Sequence, residues 1–233
     1  MTVLTRAVAR ARIELERRLR QTKDPNFIGF DKYAKHGAYH WRELSHNGDY
    51  QSKADFVRAH VQPTDRLLDL GCGDGAYIFS LAKDVAAIKG IDADFDAARL
   101  ANEQLRKSGV VNADVEQIPL SKVGSTPGTT DVFDVAYSMD VIEHLPRPEE
   151  LLEAASRVVR AGGLIIIGTP LFIRPELVSP YHVKEFSRAE IHDIVNSQLD
   201  IVEEHVLPEM RSDGRTYEAF YIAVARPRAA TSV

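Results

Sequence analysis

The sequence predicts an α/β protein: a doubly wound, mostly parallel sheet of seven strands with an antiparallel last strand, held between helices in three layers. Three observations carry this expectation. From residue 65 onward, short runs rich in Val, Ile and Leu alternate with segments of helical period, the pattern of parallel strands joined by crossover helices. The first run, RLLDL, opens directly into three glycines at alternate positions, at the strand end where doubly wound sheets hold their ligands. Near the end, two strand-like runs are separated only by the turn-rich PEMRSDGRT and should pair antiparallel.

In order along the chain, residues 4–21 read as an amphipathic helix. Leu4, Val8, Ala11, Leu15 and Leu19 recur at three- and four-residue steps, with arginines on the other faces. The favoured reading is a cap that packs this stripe on the main domain. The alternative is a basic helix lying on a partner or a membrane. An aromatic and histidine-rich stretch, FDKYAKHGAYHWREL, leads to a helix over about 52–61. Strands are expected at 66–70, 85–92, 110–114, 132–138 and 163–169, with helices AYIFSLAKD, FDAARLANEQLRKSG and PEELLEAASRVVRAG between them. The last of these has proline at its start and glycine past its end, the usual boundaries. A helix over 188–197 precedes the final strands DIVEEHVL and YEAFYIAVA; VGSTPGTT is a loop and RPRAATSV a frayed end. The expected organisation is a helical cap or lid over 1–62, a ligand-binding domain over 63–226 and a flexible tail over 227–233.

Composition narrows the class. A length of 233 residues suits one such domain and is short for two. The net charge of −5 gives the molecule as a whole no pull toward nucleic acid or anionic lipid. DNA is excluded as a partner. RNA is disfavoured, because the core lacks a basic stripe with interleaved aromatics. The single cysteine, Cys72, rules out an intramolecular disulfide and fits a reducing compartment. No apolar stretch approaches the ~20 residues of a membrane span, and the first residues lack a secretory apolar run, so the expectation is cytoplasmic. Oligomeric state is left open.

The turn reads Asp69-Leu70-Gly71-Cys72-Gly73-Asp74-Gly75. A dinucleotide turn would be G-x-G-x-x-G, whereas here the third glycine comes one residue early. Carboxylates stand before and within the turn, where they would repel a pyrophosphate and suit a ligand with a positive group. No Gly-Lys-Ser/Thr follows, which excludes a P-loop. The pattern Asp69-x-Gly71-x-Gly73-x-Gly75 resembles the first motif of the class I S-adenosylmethionine-dependent methyltransferases, and the resemblance extends over about 65–225.

That resemblance implies a Rossmann-like methyltransferase fold, the 63–226 region as its domain, and S-adenosyl-L-methionine as cofactor. It implies that Asp92, about 20 residues after the glycines and followed by Ala93, grips the ribose hydroxyls. ADVEQIPL looks like the family's adenine-edge segment, with Asp114 accepting from the exocyclic amine and Val115 offering its N–H. VAYSMDVIEHL, with Ser138 and Met139, looks like the segment bordering the methyl group and the acceptor. Cys72 sits inside the turn with no base placed beside it, so it reads as a packing residue under the ligand and not as a nucleophile.

Methyl transfer from sulfur is an in-line displacement with a good leaving group, so much of the catalysis is positioning. An oxygen acceptor must also lose a proton, which asks for a base or a metal. The catalytic candidates are His144, His182 and Asp140. Asp140, Glu143 and His144 stand at i, i+3 and i+4, and would share a face if that segment is helical. With His182 they resemble the metal site of the ubiquinone-pathway O-methyltransferases and of the small-RNA 3′-end 2′-O-methyltransferases. In the latter the first position is more often glutamate, one methylene longer than Asp140. A divalent metal, Mg²⁺ or Mn²⁺, is therefore an open alternative and not the favoured one. His36, Tyr39, His40 and Trp41 are candidates for a lid over the acceptor, against the plainer reading that Tyr39 and Trp41 pack the first helix onto the domain.

The expected function is S-adenosylmethionine-dependent transfer of a methyl group to an oxygen, less favourably a nitrogen, of a small polar metabolite or sugar. The alternatives are O-methylation of a quinone ring at a membrane contacted through residues 4–21, or metal-dependent 2′-O-methylation of RNA. An NAD(P)-dependent oxidoreductase is disfavoured by the glycine spacing, and a catalytically dead binding module by the intact turn.

Overall fold

A strand buried on both faces has no room for alternation, and RLLDL shows none: Leu67, Leu68 and Leu70 are all fully buried in β1 (Arg66–Leu70). A computed structural model describes residues 3–20, 23–27, 29, 31–210 and 214–228, with side chains of 3–7, 9 and 10 outside that description. The helices are α1 (Val3–Arg20), α2 (Lys32–His36), α3 (His40–His46), α4 (Gly48–Arg58), α5 (Ala76–Leu81), α6 (Phe95–Lys107), α7 (Glu149–Val158) and α8 (Arg188–Gln198). The other strands are β2 (Ala87–Asp92), β3 (Ala113–Gln117), β4 (Phe133–Met139), β5 (Val159–Pro170), β6 (Leu199–Met210) and β7 (Thr216–Pro227).

The seven strands form one sheet in the order β3-β2-β1-β4-β5-β7-β6. The five strands β1 to β5 pair in parallel, and β7 runs antiparallel to both β5 and β6. The expected doubly wound three-layer α/β fold is thus the observed one. Strand order reverses between β1 and β4, which opens a crevice at their carboxyl ends. Consecutive residues of β5 show the two-sidedness: Ile165 and Ile167 pack with Leu151, Ala155, Ile191 and Val195 of α7 and α8, whereas Ile166 packs with Val57, Ile78 and Leu105 of α4, α5 and α6.

Several boundaries differ from the sequence expectation. β3 begins three residues later than 110–114, because Val110 and Val111 lie in the exit from α6; Val111 is exposed. β5 takes over at Val159, inside the segment read as the end of the preceding helix, where β-branched Val158 and Val159 favour strand. α4 starts at Gly48, capped by the Asn47 side chain accepting from the Asp49 N–H. The expected tail beyond residue 228 lies outside the described residues.

The largest departure is α1. Its apolar stripe does not pack on the domain: Val8, Leu15 and Leu19 are exposed, and Leu4 lies outside the described side chains. The helix is held instead by its polar side, through Arg17 to Asp96 of α6 at 2.5 Å and the Arg20 carbonyl accepting from Gln117. The half-buried Arg17–Asp96 pair supplies a directional contact that the sequence pattern does not reveal.

Because both faces of the sheet are covered, Ile165→Ala and Ile166→Ala should each cost about 2–5 kcal/mol in urea unfolding. A neutral result for either would show that one face is open to water.

Candidate active site

The carboxyl ends of β1 and β2 are joined through one side chain. Asp92 accepts from the Gly73 N–H on one carboxylate oxygen and from the Asp94 N–H on the other, both at 2.8 Å. The Gly71 and Cys72 N–H groups both donate to the Ile91 carbonyl at 2.9 Å, so the turn bends back over β2. Gly71 and Gly73 have φ of 79° and 55°, and a Cβ at either would collide with Val141 or with the Tyr33 hydroxyl. Burial pushes Asp92 up to about 7 and Asp69 up to about 8.

The turn also carries the lid. Asp74 is fully buried, and its carboxylate accepts from the His40 N–H at 2.9 Å, while its carbonyl accepts from the Trp41 indole N–H at 2.7 Å. These bonds seat α3 on the glycine turn. Tyr33, from α2, is buried beside Gly73 and stands 3.5 Å from the His40 Nδ1. Between this lid and the strand ends lies a cavity of about 350 Å³, within the range of small-molecule sites.

At the far end of the cavity, β4 leaves the sheet through Asp140, which has φ of 57°, a left-handed conformation that is uncommon outside glycine. Both oxygens of its carboxylate accept from the Lys53 ammonium at 2.8 Å, and Lys53 lies 3.7 Å over the Phe220 ring. A single 3₁₀ turn, Ile142–His144, follows. The Glu143 carbonyl accepts from the Val183 and Lys184 N–H groups, and this fixes the loop that brings His182 into the site. Glu143 is buried. Its Oε2 accepts from Thr169 at 3.0 Å, and its Oε1 has no hydrogen-bond partner among the described residues.

Two imidazoles face that oxygen, with His144 Nε2 at 4.0 Å and His182 Nε2 at 3.9 Å. The His144 Nδ1 is 2.8 Å from the Tyr181 carbonyl and the His182 Nδ1 is 2.7 Å from the Glu185 carboxylate. Both partners accept, so each ring donates from Nδ1 and turns its Nε2 toward Glu143. Burial lowers His144 to about 4, and burial followed by the charge of Asp140 holds Glu143 well above the usual carboxylate range. The three ligand atoms lie within 4.8 Å of one another.

Gly71, Cys72, Gly73, Asp92, Ala93, Met139, Asp140, Glu143, His144, His182, Tyr39 and His40 all line the cavity. Asp69 and Gly75 are at the two ends of the turn and do not line the cavity; Gly75, with φ of 78°, packs against Ala101 of α6. Cys72 is buried and its thiol is pushed up by burial, in keeping with a packing residue. Four expectations need correction. Asp114 and Val115 stand at the start of β3, not after it: Asp114 pairs with Lys89, and the Val115 N–H donates to Asn102. The segment that reaches the cavity is Ile118, Pro119 and Leu120, past the strand end. Ser138 donates to the Leu70 carbonyl at 2.7 Å and ties β4 to β1. His36 is exposed, and Trp41 packs on Phe79 with centroids 4.6 Å apart, so neither lines the cavity. Asp140 does not join the Glu143 cluster, because the left-handed residue precedes the 3₁₀ turn and turns its carboxylate to Lys53.

Lys53, Tyr33, Tyr50 and Tyr77 escaped the sequence reading. For Lys53 a weak signal existed, since it shares the buried face of α4 with Val57 at the i, i+4 spacing.

Residues 68–167 match the family model described as a methyltransferase domain. The matched region runs from β1 into β5, so the chain carries a methyltransferase domain. Among curated relatives, it is 34% identical over 119 residues to a ubiquinone biosynthesis O-methyltransferase of Paraburkholderia xenovorans strain LB400, covering 50% of each chain. The chain thus spans about half the length of the curated relatives it matches. A SAM-dependent methyltransferase from Aquifex aeolicus shares the fold with a TM-score of 0.62 at 17% identity, over 82% of this chain and 98% of that one. The [4+2]-cyclase SpnF does so with 0.63 at 16%, over 77% and 82%. At such identities the likeness concerns architecture alone.

S-adenosylmethionine is the methyl donor of this family, and the residues at the turn fit it. The cradle tolerates no Cβ at Gly71 or Gly73, and it presents Asp92 without a lysine or arginine at the turn, which suits hydroxyls and an ammonium and not a phosphate.

The raised pKa values have a consequence for stability. In the folded state Asp92 and Asp69 hold protons that the unfolded chain releases near pH 4, so stability is greatest below that point and falls as pH rises through 7 to 8. Asp92→Asn should therefore flatten the fall of Tm between pH 5 and pH 8 in the ligand-free protein, while giving up the hydrogen bond to one of its two N–H partners. The same variant should weaken S-adenosylhomocysteine binding by calorimetry. Asp114→Ala should leave that affinity unchanged; a loss there would restore the adenine role to Asp114.

Proposed function

We propose that this chain transfers a methyl group from S-adenosylmethionine to a hydroxyl oxygen of an aromatic ring, with a catechol-like quinone precursor as the acceptor class. The observation that carries the reading is the buried Glu143 Oε1, without a donor among the described residues, facing the Nε2 atoms of His144 and His182. A buried carboxylate and two imidazole nitrogens turned on one point form a donor set for a cation. Distances of 3.9–4.0 Å are too long for a shared proton and suit ligands on a common ion. Glu143, His144 and His182 would hold a divalent cation, with Tyr181 and Glu185 fixing the imidazoles. When bound, such an ion lowers the pKa of an acceptor hydroxyl and gives it a fixed point of attachment.

In this reading Gly71 and Gly73 receive the amino-acid part of the donor, Asp92 the ribose, and Ile118 to Leu120 the base. Met139 and Asp140 border the transferred carbon. Lys53 holds Asp140 in place, while Tyr39, Tyr50, Tyr77 and Tyr181 offer aromatic walls to a ring. The sugar acceptor expected from sequence finds less support. Asn26 is the one amide side chain on the cavity wall among the described residues, and it is spent on the Arg147 backbone at 2.7 and 3.0 Å. The name of the curated relatives, which concerns a quinone pathway and O-methylation, points the same way.

Protein stripped by a chelator should lose turnover of a simple catechol by about a hundredfold and regain it with Mg²⁺ or Mn²⁺, while binding S-adenosylhomocysteine as before. Glu143→Gln should reproduce the loss without rescue. Full turnover after chelation would remove the cation from the reading. Absence of turnover on any catechol in the presence of the ion would remove the acceptor.

A further inference from the structure

The apolar stripe of α1 faces away from the protein. Val8, Leu15 and Leu19 are 63%, 58% and 76% exposed, and at 100° per residue they fall within about 40° of one another on the helix. The side that touches the domain is the polar one, where Arg17 meets Asp96 and Glu14 and Ile13 is half-buried. A helix that merely caps a domain turns its stripe inward. Here a directional ion pair holds it the other way round.

Arginines border the outward stripe. Arg12 and Arg18 lie on its two sides with side chains 78% and 76% exposed, each in a surface pair, to Glu16 and Glu14 respectively. Such exposed pairs are weak and leave the net field in place. The helix carries six arginines against two glutamates, a net +4, while the chain as a whole is −5, so the remainder is −9. An anionic surface therefore attracts this helix and repels the rest of the molecule, which sets an orientation as well as an affinity. No helix among the described residues is long and apolar enough to cross a membrane.

We propose that α1 is an interfacial helix that lays Val8, Leu15 and Leu19 into an anionic lipid bilayer, with Arg12 and Arg18 at the headgroup level. The segment that follows α1 supplies Asp24, Asn26, Phe27 and Gly29 to the cavity wall, so the same docking brings the cavity mouth close to the lipid. The anchor is independent of the acceptor proposed above. If that acceptor carries a lipid tail, the geometry lets it enter from the bilayer.

The test is flotation of the full chain with vesicles of mixed phosphatidylglycerol and phosphatidylcholine, beside vesicles of phosphatidylcholine alone. Wild type should float with the anionic vesicles, at least about tenfold more than with neutral ones, and raised salt should release it. Leu15→Glu/Leu19→Glu and Arg12→Glu/Arg18→Glu should each abolish flotation while keeping the Tm and the S-adenosylhomocysteine affinity of wild type. Those controls, and turnover of a tail-less catechol in solution, read the site separately from the anchor. Equal flotation of wild type and the leucine variant would overturn the proposal. So would a lipid-free dimer dispersed by the leucine substitutions and unable to float, since the stripe would then be covered by a second copy of the chain.

Discussion

One carboxylate holds the two halves of the binding crevice together. Asp92 ends β2 and takes the Gly73 N–H of the turn that ends β1, so neighbouring parallel strands finish on a shared anchor. With its other oxygen it takes the Asp94 N–H, at the start of α6. The glycines are needed because this closure brings the turn within contact of Val141 and Tyr33. Everything at the site is placed relative to that closure: the lid through Asp74, the 3₁₀ turn through Val141, and α1 through Asp96, in the first turn of α6.

The cost of this arrangement is a set of buried carboxylates. Asp69, Asp92 and Glu143 gather around a cavity where burial disfavours their charge, and Lys53 offsets Asp140 at 2.8 Å. Protein stability is thereby exchanged for a polarised site, as is common where function requires unsatisfied groups. The two ends differ in kind. At the turn, backbone N–H groups take both oxygens of Asp92 and one of Asp74. At the 3₁₀ turn, Glu143 Oε1 faces two imidazole nitrogens instead.

The lid divides its labour in a way that residue type does not reveal. Trp41 and His40 lie side by side in the chain, yet one packs on Phe79 and the other reaches the cavity: the Asp74 carbonyl holds the Trp41 indole by its side-chain N–H, whereas the Asp74 carboxylate holds His40 by its backbone N–H and leaves the imidazole to the cavity wall. Tyr33, which belongs to no motif, fills the space over Gly73.

What the sequence by itself determined was whatever depends on local period and spacing. RLLDL followed by alternating glycines, an acid at the end of the next strand, and a final antiparallel pair are each written in neighbouring residues, and each stands where it was expected. Contacts made at a distance were decided by the tertiary structure alone. Register placed Asp114 at the wrong end of β3, since a shift of three residues moves a side chain from one edge of the sheet toward the other. The left-handed Asp140 turned to Lys53, eighty-seven positions away, and left Glu143, His144 and His182 as the cluster. The pair between Arg17 and Asp96 inverted the first helix. Periodicity says that a helix has an apolar face; only the partner that grips the opposite face says which way it points.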